Sequence, residues 1–262
     1  MTAGRFTLHA AAWAVIVFLM VPTLIVVPMS FSPAEHLKFP PQGFTLRWYS
    51  AYFADSDWMA ATLFSIKAGV VAAIGSTIVG TMTALALVRG RVWGRRVLDL
   101  LIVGPVVVPH IALAVAIFLV YDRLKLNGTL LGFAIAHTVL AAPFSIFSVL
   151  AALYRFDADL EMAALSCGAS RWRTFWHVTL PLILPGVLSG AMFAFIISFD
   201  EAVVSFFISD LDGKSLPRKL FEDIDYNLTP VVAAVASLLS FLSIAVLVGG
   251  HLVGRIFSRR VT

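Results

Sequence analysis

Two carboxylates stand side by side where an apolar run should carry none. Asp200 and Glu201 interrupt a stretch that continues from Val178 past Phe199 to Ser209. Ionisable groups inside a membrane segment are costly and usually face an interior or water, so a carboxylate here can attract or coordinate a cationic substrate. Adjacent helical residues diverge by about 100°, so only one of the two acids is expected to face a central path. Counted from Pro181, Asp200 lies about 28 Å along a helix axis, near the outer edge of the hydrocarbon. There the pair equally suits a marker of the membrane–water border. Lys67, at the outer start of another apolar run, reads as a snorkelling lysine. His110 and His137 lack a further ligand and read as satisfied core residues, so no metal is expected. Gly213-Lys214-Ser215 resembles the end of a phosphate loop, but Ile208 occupies the required glycine position, which excludes nucleotide binding. Neither His-Glu-x-x-His nor Gly-x-Ser-x-Gly occurs, so no catalytic residue and no cofactor are expected. Cys167 is the single cysteine and cannot form an internal disulfide.

A second cluster lies in the loop 155–178 and its exit. Asp157, Asp159 and Glu161 sit where a helix would begin, and carboxylates favour a helix N-terminus. Leu160, Ala163 and Ala164 can form one apolar face of that helix. Gly168 would end it or allow a sharp turn. Ser170 can cap a second short helix from Arg171 to His177. Pro181 and Pro185 open the next apolar run. The expected product is a helix-turn-helix on one membrane surface. It would show small residues, Ala169 and Ser170 among them, and two arginines to a partner.

The elements that must position these groups follow from composition. Of 262 residues, 60% are hydrophobic and 13% charged. A soluble domain has about 45–50% apolar and about 25% charged residues, so a soluble enzyme, a disordered chain and a disulfide scaffold are excluded. The net charge of +4 comes without a basic stripe interleaved with aromatics, so no nucleic acid is expected. Crossing the hydrocarbon takes roughly 20 apolar residues, and backbone polar groups must be satisfied internally, so long apolar runs must be helices. Six spans are expected, at about 10–31, 64–88, 99–121, 129–153, 180–205 and 229–254. They form an all-α, polytopic membrane protein in a single transmembrane domain, 1–262. No run alternates with period two, which argues against a barrel. The first run reads as a retained span rather than a signal peptide. The external segment 32–57 carries Trp48, Tyr49, Tyr52 and Phe53, which suit a short interfacial helix. Pro105, Pro109 and Pro143 imply kinks within spans. Gly186 and Gly190 share a helical face and suit close packing, within or between subunits.

Orientation follows from basic residues in the loops. With the N-terminus inside, the inner segments hold Arg5, Arg89, Arg91, Arg95, Arg96, Arg155, Arg171, Arg173, Arg255, Arg259 and Arg260. The outer loops hold fewer basic groups and most of the acids. Both termini are therefore expected in the cytoplasm. The acidic outer face either concentrates cations by steering or merely complements the positive-inside bias.

The loop also carries a resemblance. It is similar to the cytoplasmic EAA loop of inner-membrane permeases of ATP-binding-cassette importers, which reads Glu-Ala-Ala, three residues, Gly, nine residues, Ile-x-Leu-Pro. Ala163, Ala164, Gly168, Leu180 and Pro181 match, and Val178 stands for Ile. Met162 occupies the Glu position, with Glu161 one residue early. Ser198-Phe199-Asp200-Glu201 and the following Val203-Val204-Ser205-Phe206-Phe207 resemble the fifth span of spermidine and putrescine permeases, as do Gly104-Pro105, Pro109 and Leu216-Pro217. The resemblance implies a type I importer fold and the second permease subunit of such a system. It also implies separate ATPase subunits that grip the loop, a paralogous permease, a periplasmic solute-binding protein, and a place in the bacterial inner membrane. Glu161, Met162, Ala163, Ala164, Gly168, Ala169, Ser170, Leu180 and Pro181 would then couple to the ATPase, and the substrate would be a polyamine. Related importers carry opines, phosphonates, thiamine or iron. A stand-alone ion-coupled transporter would need internal repeats, and none is visible.

Overall fold

The computed structural model describes residues 3–90, 92–210, 213–226 and 229–258. Arg91, Arg259 and Arg260, used above for charge balance, lie outside the described residues, as does the side chain of Arg255. Among the described residues every regular element is a helix. They are α1 (Ala3–Met29), α2 (Arg47–Ala54), α3 (Ser56–Arg89), α4 (Arg95–Val107), α5 (His110–Leu124) and α6 (Leu130–Leu153). Then follow α7 (Asp159–Ser166), α8 (Arg171–Thr174), a π turn (Phe175–Thr179), α9 (Leu180–Phe199), α10 (Val203–Ile208), α11 (Leu216–Tyr226) and α12 (Val231–Ser258).

Five helices are long and apolar enough to cross a membrane, and a sixth crossing exists if α4 and α5 count as one broken span. That broken pair departs from the continuous third span expected over 99–121. Its two halves meet at 104°. The cause is local. Pro109 has no N–H and forces Val108 out of the helical region, to φ −66° and ψ 131°. Val108 N–H closes α4 on the Gly104 carbonyl, and α5 starts afresh at His110. The fifth span also departs from expectation. It was expected to run through 205, but α9 stops at Phe199 and α10 begins at Val203. The second span begins earlier than expected, because α3 starts at Ser56.

The chain divides into two compact units. One comprises Met1–Met59 and Lys219–Ile244. Within it no residue of α1 from 7 to 29 is buried. The segment 32–57 is tied to the end of α1 by Ser30 Oγ and Tyr49 Oη, 2.7 Å apart, and by Trp48 Nε1, which donates to the Ser32 carbonyl at 2.7 Å. Phe31 stacks on Phe44 with centroids 4.9 Å apart. These contacts turn the aromatic run into a small folded cap around α2.

The other unit comprises Ala60–Arg218 and Ala245–Thr262 and is organised around α6. On the loop side of α6, Val149 and Leu153 pack with Ala84 of α3 and Ile183 of α9. At its middle, Ala141 meets Ala73 and Ala194. At its other end Phe133, Ala136 and Leu140 close a cluster with Ala114 and Tyr121 of α5 and Val204 and Ile208 of α10. The small residues are what allow this approach. A Cβ at Gly186 would lie 2.4 Å from the Cβ of Ala152, and one at Gly190 would lie 3.1 Å from the Cα of Ser145. The Gly186–Gly190 face therefore packs against α6 of the same chain. Thr129 caps α6, its hydroxyl accepting from Gly132 N–H at 3.0 Å.

Candidate coupling loop and pathway carboxylates

The loop is built much as its residues dictate. Asp157 Oδ1 accepts from Asp159 N–H at 3.0 Å and starts α7. Gly168 adopts φ +84°, a left-handed conformation that ordinary residues avoid, and turns the chain. Ser170 accepts from Arg173 N–H at 3.3 Å and caps α8. The second helix differs from expectation. It does not stop at His177 but runs through the π turn directly into α9. Pro181 has no N–H to offer the His177 carbonyl, and at the same place Leu180 N–H reaches back five residues to the Phe175 carbonyl. α8 is therefore the foot of α9, not a separate element.

Glu161 and Met162 differ in exposure. Met162 is 62% exposed, and Leu160 and Trp172 are exposed as well. Glu161 turns inward, accepts a hydrogen bond from Thr179 Oγ1 and pairs with the guanidinium of Arg89, the last residue of α3. Ala163, Gly168, Ser170 and Pro181 are exposed, while Ala164, Ala169 and Leu180 are half-buried. Arg89 and Thr179 carried no functional signal in the sequence. Arg89 counted only as one inside charge among many, and Thr179 is the variable position of Val-x-Leu-Pro.

The two acids lie at the opposite end of α9. A cavity there is lined by Pro105, Val106, His110, Leu140, Phe144, Ile196, Ile197, Asp200 and Glu201. Both acids border it. The 100° divergence holds within a helix, but α9 has ended at Phe199. Their environments differ. Asp200 ends α9, its N–H donating to the Ile196 carbonyl at 3.0 Å, and its side chain is exposed. Glu201 is buried. Its Oε1 accepts from Val204 N–H at 2.9 Å, and its Oε2 lies 3.4 Å from His110 Nδ1. Glu201 thus caps the short α10 and ties it to the start of α5.

His110 was expected in the core, yet its side chain is 47% exposed and it lines the cavity. The signal available was Pro109, which marks a helix start and so an accessible first turn. His137 is a satisfied core histidine. It is buried, with Nδ1 2.8 Å from Ser198 Oγ and Nε2 3.3 Å from Ser205 Oγ. Among the described residues no group of three or more His, Cys, Asp or Glu is placed to hold a metal. Lys67 is exposed on α3.

Comparison with known proteins agrees with this architecture. The chain is 31% identical over 253 residues to the spermidine/putrescine transport system permease protein PotC of Haemophilus influenzae, covering 96% of this chain and 98% of that protein. It is 28% identical over 252 residues to the putrescine transport system permease protein PotI of Escherichia coli, covering 93% and 89%. It is 31% identical over 233 residues to the putative 2-aminoethylphosphonate transport system permease protein PhnV of Salmonella typhimurium, covering 86% and 87%. The fold matches a chain of a bacterial ABC transporter that imports alginate, with a TM-score of 0.71, 19% identity and coverage of 94% and 96%. It also matches the MetNI methionine ABC transporter in an inward-facing form, with a TM-score of 0.59, 21% identity and coverage of 78% and 99%. Residues 76–261 match the family described as binding-protein-dependent transport system inner membrane component. The chain belongs to that family and is an inner-membrane permease subunit of the ABC importer type.

Proposed function

We propose that this chain forms half of the translocation pathway of an ATP-driven importer for a small cationic solute, with polyamines such as spermidine or putrescine as the substrate class. ABC ATPase subunits dock on the 155–178 loop from the cytoplasm, where both termini also lie. A paralogous permease supplies the other half of the path, and a periplasmic solute-binding protein delivers the cargo. Hydrolysis belongs to the ATPases, and this subunit is not an enzyme.

The observation that carries the reading is the loop. A short helix and a glycine turn present Leu160, Met162 and Trp172 to the exterior, and exposed apolar groups of this kind mark a contact surface. The adjoining α8, π turn and α9 are one continuous helix, so a displacement of the loop is a displacement of a span. Through the close α6–α9 seam it reaches α6. Two discrete packings of such spans give alternating access.

At the far end of α9, the exposed carboxylate of Asp200 at a cavity with largely apolar walls suits an ammonium group on a hydrocarbon chain. The names of the PotC and PotI relatives point the same way. A second reading, a zwitterionic aminophosphonate, is favoured by His110, which brings a group able to carry positive charge to the same cavity, and by the PhnV relative.

Cys167, exposed in the loop and the single cysteine of the chain, gives a direct test of sidedness. A membrane-impermeant maleimide should label it in inverted vesicles and not in right-side-out ones. The reverse pattern refutes the reading. Proteoliposomes holding the assembled importer should then take up labelled spermidine or putrescine only with ATP inside the ATPase-facing compartment. Excess 2-aminoethylphosphonate should not compete. Competition by it alone selects the second reading.

A further inference from the structure

We infer that Arg89 and Thr179 are positioning residues of the coupling device, clamping Glu161, and through it α7, to α3 as well as to the foot of α9. The inference rests on the reading of 155–178 as the ATPase-docking loop and adds a third span to those the loop moves.

One carboxylate oxygen, Glu161 Oε1, receives both partners. Arg89 ends α3, and Thr179, fully buried, ends the π turn that leads into α9. The guanidinium of Arg89 also stands 5.7 Å from the ring centroid of Phe156, in the connector from α6 to α7. Four pieces of chain therefore converge on one ion pair. The Glu161 side chain is 18% exposed and that of Arg89 34%, so the pair is screened less than a surface one. Hydrogen bonds to an ionised carboxylate are stronger and more directional than neutral ones. The one-residue offset of Glu161 from the family motif now has a physical consequence. About 100° of helix rotation separates Glu161 from Met162. The acid points at α3 while the apolar side chain points outward.

Without the clamp, α7 keeps the 154–158 connector, the Gly168 turn and its packing on α8 and the π turn, but loses its tie to the end of α3. Such a helix can swivel relative to α3 when a partner pushes it, and the displacement does not reach the end of α3. With the clamp, α7 cannot move unless the end of α3 moves with it. The expected defect is therefore loss of coupling, not loss of docking.

The test compares the purified importer carrying wild-type chain, Glu161→Gln, Arg89→Ala, Thr179→Val, and the reversed pair Arg89→Glu with Glu161→Arg. In Glu161→Gln and Arg89→Ala, ATPase co-purification should stay within about twofold of wild type, as for loss of a partly exposed pair. ATP consumed per solute imported should rise about fivefold or more, the low end of coupling between linked sites. Thr179→Val should show a smaller rise, and the reversed pair should restore the wild-type ratio. An unchanged ratio in both single variants overturns the clamp. So does loss of ATPase binding that the reversed pair fails to restore, since that marks a merely structural role. Amide hydrogen exchange on the chain alone in detergent gives an independent arm. Exchange across α7 should be faster in Arg89→Ala than in wild type, and equal rates overturn the clamp without reference to any ATPase. A wild-type importer that carries no ATPase refutes the docking reading itself.

Discussion

At the end of α9 nearest the loop, the helix runs unbroken through the π turn into α8, whereas at its other end it stops at Phe199, and non-helical chain separates it from α10. Each end holds a carboxylate one residue away from a second chemically distinct position, and each uses it differently. Glu161 draws α3, α7 and the foot of α9 onto one oxygen. Glu201 spends one oxygen on the N-terminus of α10 and offers the other to His110 at the start of α5, which leaves Asp200 exposed at the cavity. A continuous helix transmits displacement, and a broken one lets its short pieces move on their own. The contrast suits a subunit that receives motion at one end and handles solute at the other.

The contrast can be broken first at the seam both ends share. Gly186→Val should destabilise the chain most, because even a Cβ there would lie 2.4 Å from the Cβ of Ala152. Overpacking of a tight site costs about 1–3 kcal/mol or more, read as a lower thermal midpoint in detergent. An unchanged midpoint would mean that α9 is not seated on α6 as described. Next, Gly168→Val places a β-branched residue at φ +84°. Left-handed strain of about 1–2 kcal/mol should distort the turn and abolish most ATPase co-purification, while membrane insertion stays normal by labelling of Cys167.

At the cavity the expected effects are smaller. Asp200→Asn should raise the KM for a cationic substrate about tenfold, equivalent to about 1.4 kcal/mol, with ATPase assembly unaffected. An unaltered KM would demote Asp200 to a border residue. Glu201→Gln should change KM only a few-fold, because the amide oxygen can still accept from Val204 N–H. Glu201→Ala, which removes the cap and the His110 contact together, should cost more, of the order of 1 kcal/mol for the cap alone. If Gln and Ala behave alike, the cap is not what Glu201 supplies.

The legible parts of the structure were those with short-range causes. The uncharged run 129–153 became α6, and Gly168 and Ser170 took the turn and cap positions expected of them. The break at Val108 was less legible. A proline in a membrane helix either kinks it or ends it, and the outcome depends on what satisfies the freed groups. Here His110 meets Glu201, and Ile102 packs on Ile146, so each half is held separately. The same difficulty hid Arg89, whose partner lies far along the chain and whose local surroundings resemble those of any inside arginine.

Apolar run length, caps and loop charges determined that this chain is an all-helical membrane protein with a helix-turn-helix in the loop 155–178, because water and lipid act on each segment by itself. Tertiary structure alone decided that Glu161 turns inward while Met162 faces out, that α8 is continuous with α9, and that both Asp200 and Glu201 reach one cavity. Those outcomes require groups from distant helices to meet, and no local preference encodes such a meeting.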